Sequence, residues 1–136
     1  MQVNYYGFDN KSWKAEVEAL LEKWRWIVPP WILQLLICTS GGDGCAEAEL
    51  KHEYMIHKVS LYTNWLDDTE ENRESNFVHE LVHSFTNGPH NVAMDICNKA
   101  LADGPAKDIA KQLITERTEQ TTVWVEHLLT KMCERK

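Results

Sequence analysis

The chain has 136 residues, 43% hydrophobic and 26% charged, with a net charge of −7. That size suits a single domain over residues 1–136 with a core of its own. The acidic balance argues against a nucleic-acid surface, which needs clustered Lys and Arg, and no apolar run is long enough to span a bilayer.

The first residues, Met1-Gln2-Val3-Asn4-Tyr5-Tyr6, lack a basic segment followed by an apolar one. The reading is therefore no signal peptide and a cytoplasmic protein. The first predicted element is a helix opening near Asn10-Lys11-Ser12, with Ser12 as cap. Val17, Leu20, Leu21 and Trp24 recur at helical spacing. Pro29-Pro30 ends it. Residues 31–38 are apolar and short, and period alone does not separate a helical turn from a first strand. Gly41-Gly42-Asp43-Gly44 is a turn. Cys38 and Cys45 flank it, as if across a hairpin. In a chain without a secretion signal they are expected to be free thiols, as are Cys97 and Cys133. No C-x-x-C pair is present, which argues against a zinc ribbon.

Residues 46–54 alternate in part and 55–62 more clearly, so both are predicted as strands. The acidic run Asp67-Asp68-Thr69-Glu70-Glu71 supplies caps for a helix over 69–86. Phe77, Leu81 and Phe85 form its apolar row, and Asn87-Gly88-Pro89 is expected to terminate it. A second helix is predicted over 92–102, and a last one over 106–134, weakened in the middle by Thr121, Thr122 and Val123. The fold class expected is α+β, a small antiparallel sheet beside several helices.

The helix over 69–86 contains His79-Glu80-Leu81-Val82-His83, a match to H-E-x-x-H. Residues i and i+4 share a helical face, so both imidazoles can reach one Zn²⁺ at about 2.0–2.1 Å. Glu80 stands beside the first ligand and is placed to act as general base toward a metal-activated water. Two histidines and a glutamate on a core-facing helix are costly to bury, and a metal removes that cost.

Catalytic zinc sites keep three protein ligands. The metzincin spacing would need glycine at 86 and histidine at 89, where this chain has Thr86 and Pro89; His90 misses by one residue. A late-helix acid is the alternative. Helical phase favours Glu116, in row with Ile109, Leu113, Gln120 and Val123. Glu119 points toward the side of Gln112 and Glu126.

The arrangement resembles the minimal zincins common in phage and prophage genomes. The resemblance rests on Trp31-Ile32, the strand Tyr54 to Tyr62, the motif helix from Phe77 to Phe85, and Glu119-Gln120 with Val123, Val125 and Leu128. It spans residues 31–129, and its one specific motif is H-E-x-x-H. It implies a zincin-like fold and a zinc metallopeptidase acting on a peptide or protein substrate. It also implies Glu119 as the third metal ligand, ahead of Glu116, in a register that helical phase does not favour. The alternative function is a non-catalytic zinc-binding or peptide-binding domain, with a closed, four-coordinate site. His57, Tyr54 and Tyr62 are oxyanion-stabilising candidates, though half-buried strand positions are the commoner role for such residues. Trp24, Trp26 and Trp31 suggest core packing or a contact surface.

Overall fold

The computed structural model describes residues 1–134. The chain forms two compact units, one covering Met1–Ser84 and the other starting at Phe85. The first contains strand β1 (Gln2–Tyr6), helix α1 (Lys11–Trp24), strands β2 (Gln34–Thr39), β3 (Ala46–Lys51) and β4 (Ile56–Leu61), and the short helix α2 (Thr63–Leu66). It also holds the N-terminal half of α3 (Glu70–Ala100).

Helix α1 starts two residues earlier than a Ser12 cap would place it. Asn10, not Ser12, is the cap, its Oδ1 accepting from the Ser12 amide at 2.9 Å. An Asn at this position satisfies an amide that the first turn leaves without a partner. The segment 31–38, open between a helical turn and a strand, contains both: the Ile32 amide closes a turn onto the Pro29 carbonyl at 3.0 Å, and Gln34–Thr39 is a strand. Likewise the strand expected over 46–54 stops at Lys51. His52–Tyr54 coil into a 3-10 turn, and Met55 then takes a left-handed conformation at φ 53° before β4 begins.

The sheet is four-stranded, in the order β1-β2-β4-β3. It is mixed, correcting the antiparallel expectation: β1/β2 and β2/β4 are parallel, and only β3/β4 is antiparallel. Strand β1 was not expected at all. Parallel neighbours need a crossover, and α1 supplies one between β1 and β2. Apolar alternation is the same in either kind of ladder, so pairing direction leaves no local trace. With β4 lying between β2 and β3, Cys38 pairs with Ser60 rather than facing Cys45. All four cysteines are free. At the end of β1, Gly7 lies at φ 77°, and a Cβ there would sit 2.4 Å from the Thr39 carbonyl oxygen, so the position needs glycine.

One sheet face is buried. Leu35, Ile37, His57, Val59 and Leu61 are on it, in register across β2 and β4. Val17, Leu21 and Trp24 of α1 and Phe77, Val78, Leu81 and Val82 of α3 complete the core of this unit. Two polar links tie α1 to α3. Glu16 accepts from Arg73 Nε at 2.8 Å, and Glu74 accepts from Lys23 Nζ at 2.6 Å and Trp24 Nε1 at 2.7 Å. Trp65 of α2 is fully buried and donates from Nε1 to the Arg73 carbonyl at 2.9 Å. Removing so large a buried ring leaves a cavity that the surroundings fill only in part. Trp65→Ala is therefore expected to cost about 3–5 kcal/mol, read as a lower urea midpoint with an unchanged m-value.

The second unit is a helical hairpin of the C-terminal half of α3 and α4 (Pro105–Glu134). The expected break at Asn87-Gly88-Pro89 does not occur, and the two helices predicted over 69–86 and 92–102 are one, Glu70–Ala100. Pro89 has no amide to donate back into the helix. Its ring meets no Cβ on the preceding residue, which is Gly88, so the usual bar to helical backbone before proline is relaxed. His90 is therefore helical rather than in a loop. Side-chain contacts join the two helices of the hairpin. Thr86 and Thr122 hydroxyls lie at 2.8 Å, His90 Nδ1 and Thr118 Oγ1 at 3.0 Å, and Cys97 Sγ donates to the Lys107 carbonyl at 3.9 Å. The run Thr121-Thr122-Val123 does not break α4. The Thr118, Thr121 and Thr122 hydroxyls each donate to the carbonyl four residues back, at 2.8 Å, so they add bonds along the helix instead of competing with it. Among the described residues no helix is long and apolar enough to cross a membrane.

Candidate metal centre

The motif falls on α3, as its spacing requires. Phe77, Val78, Leu81 and Val82 are all buried and hold that helix in one rotational setting. This setting fixes where the polar members point. His83 is 5% exposed and Glu80 8%, while His79 is half-buried. The two imidazoles meet edge to face, their centroids 4.9 Å apart at 84°. One helical turn thus brings two ring-nitrogen sets to the same place.

Beneath the motif lies His57 of β4, fully buried. Its Nε2 donates to the backbone carbonyl of Glu80 at 2.8 Å. Its Nδ1 has no hydrogen-bond partner. Burial lowers the pKa of this ring from 6.5 to about 4; the bond to Glu80 opposes the shift, and the neighbouring His83 adds to it. The ring is therefore neutral at physiological pH, with the proton on the nitrogen facing Glu80. His57 is a tie between sheet and motif helix rather than an oxyanion donor open to substrate. The sequence carried a signal for it: strict alternation in β4 sets 57, 59 and 61 on one face.

The other strand candidates lie elsewhere. Tyr54 is 67% exposed. Tyr62 donates to Glu47 Oε2 at 2.6 Å, and this bond is the main reason its hydroxyl is held above its ordinary pKa.

Of the two late glutamates, Glu116 is exposed and accepts from Gln112 Nε2 at 2.9 Å along its own helix. His79 and His83 lie in the first unit, whereas Glu119 is an exposed residue of α4 in the second. His90 bonds to Thr118 within the second unit. Glu126, used in the sequence only to mark a direction, is a buried acid on α4 beside buried Thr122. The spacing Glu119, Thr122, Glu126 is i, i+3, i+7, one helical face, and that pattern was available to find it.

Within the first unit the motif offers two imidazoles, with the Glu80 carboxylate next to the first histidine. Compared with family models, curated proteins and solved structures, the chain matches none.

Proposed function

We propose that the chain is a zinc-dependent hydrolase of peptide bonds, with a zincin-like site in which His79, His83 and Glu119 hold the metal. The observation that carries this reading is the pair of imidazoles, His79 and His83, one turn apart on α3 with ring centroids 4.9 Å apart and the Glu80 carboxylate next to the first of them. The donor set fits the ion: two borderline-soft nitrogens and one hard oxygen make a three-ligand catalytic shell with a position left open. Magnesium or calcium would call for more oxygens than these residues supply. A zinc ion bound there supplies Lewis-acid polarisation and lowers the pKa of its water toward about 7.

The chain's own residues do the rest. Glu80 cannot share the ligand role of its neighbours, because adjacent helical positions diverge by about 100°. It takes the proton from the attacking water and returns it to the leaving amine. His57 braces the backbone at Glu80 from below, through the 2.8 Å bond to its carbonyl. That bond limits the freedom of the base relative to the ligands on either side of it. The neutrality of His57 keeps a second positive charge away from a site that must accept a cation.

The test is metal stoichiometry. Protein stripped with chelator and titrated with zinc is expected to bind one ion per chain, with affinity lowered at least ~100-fold in His83→Ala. No zinc retention, or equal retention in the variant, overturns the metal assignment. Tight zinc binding without cleavage across a diverse peptide library overturns the hydrolytic part alone.

A further inference from the structure

We propose that the helical hairpin is a dimerisation surface, and that its occupant is a second copy of this chain. The observation is that the second unit is inside out. Among its described residues, the buried side chains are Cys97, Thr86, Thr122 and Glu126, and Cys97 alone of these is apolar. Phe85, Met94, Ile114, Val125 and Leu129 are half-buried, and other large apolar residues on both helices are exposed, among them Val92 53%, Ile96 61%, Ile109 57%, Leu113 48%, Trp124 63% and Leu128 59%. A helix must bury its apolar stripe against another element to be stable, and here the stripe is bare.

The stripe is ordered. On α4, Ile109, Leu113, Trp124 and Leu128 lie along one side at helical spacing, with Arg117 and Thr121 between them. On α3, positions 85, 89, 92 and 96 do the same. Between the two rows lies a groove of about 560 Å³, its walls including Phe85, Pro89, Ala93, Leu113, Ile114 and Val125. The one charged lining residue is Arg117, and its Nη1 is already engaged by Gln120 Oε1 at 2.9 Å. The groove thus asks for an apolar occupant.

Area and shape select the partner. At roughly 100 Å² for each half-exposed aliphatic side chain, and more for tryptophan, the six residues expose about 600 Å². That is at the upper end of what a monomer leaves bare, and with the groove walls it approaches the ~800 Å² that each partner gives to a standard interface. One face carries both a groove and projecting side chains to fill it, which is what an isologous two-fold contact needs. Two hairpins joined this way make a four-helix bundle, burying both stripes at once. A chain of net charge −7 is ill suited to an anionic lipid surface as the alternative cover.

The experiment is sedimentation velocity on the full chain from 1 to 100 µM, with light scattering for mass. Wild type is expected at twice 15.8 kDa at the upper concentrations. Trp124→Glu with Leu128→Glu is expected to shift the dissociation constant at least ~100-fold toward monomer, with an unchanged far-ultraviolet dichroism spectrum, since both positions are exposed. Trp31→Glu, which removes an exposed tryptophan 56% accessible in the first unit, is expected to leave the dimer intact. A wild type that stays monomeric at 100 µM, alone or while adhering to lipid vesicles, overturns the proposal. So does a double variant that still dimerises, or a dimer lost only in Trp31→Glu.

Discussion

Glu80→Gln is expected to abolish hydrolysis while leaving the metal in place. Glutamine keeps the volume and the hydrogen-bonding reach of the side chain but cannot accept a proton at neutral pH. General-base catalysis contributes 10²–10⁴-fold, so a loss of about 10³-fold in kcat is expected, with KM changed little. Zinc content and the unfolding midpoint should match wild type, because Glu80 lies beside the proposed ligands and not among them. The paired measurement matters. Loss of activity together with loss of metal would make Glu80 a structural residue, and retained activity with metal present would remove it from the reaction. The position is 8% exposed. A bulkier substitution would therefore confuse packing with chemistry, and the isosteric amide avoids this.

The second large effect is on stability and comes from His57. In the folded protein its pKa is lowered, chiefly by burial, to about 4, against 6.5 for a free ring. The unfolded chain therefore binds a proton that the folded chain refuses. Stability from this group is fully present above about pH 6.5 and is lost as the pH falls toward 4. The gap between 6.5 and about 4, at 1.36 kcal/mol for each pH unit, amounts to about 3 kcal/mol. The cause is structural: Nε2 is spent on the Glu80 carbonyl, and a proton on Nδ1 would put a charge in the core with no acceptor to meet it. Urea unfolding of chelator-treated protein between pH 7 and 4 measures this. His57→Leu is expected to flatten the acid limb by about that amount, while costing ~1 kcal/mol at pH 7 for the lost bond. An acid limb equally steep in the variant would place the titration elsewhere.

Legibility differed by element. The helix carrying His79, Glu80 and His83 could be read because its signal is local: five consecutive residues, apolar where the core is and polar where the site is. The late helix could be read for the same reason, and its threonines proved harmless because their hydroxyls bond back along the helix. Asn87-Gly88-Pro89 misled, since a proline rule derived from ordinary neighbours weakens when the neighbour is glycine and a second helix lies alongside. Helical phase preferred Glu116, whereas the resemblance implied Glu119. Phase relates a residue to its own helix, and Ile109 and Leu113, the row that recommended Glu116, turned out to be exposed.

By itself the amino-acid sequence determined the α+β class, the helical character of the segments that form α1, α3 and α4, and the pairing of two histidines with an adjacent acid. All of these depend on contacts within a few residues, where chain geometry leaves few choices. The tertiary structure alone decided that β1 exists as a strand, that β2 and β4 run parallel, and that His57 lies under Glu80. It also decided that the apolar side of α4 faces outward. Each of these joins residues far apart in the chain, and a hydrophobic pattern states that a face must be covered without stating what covers it.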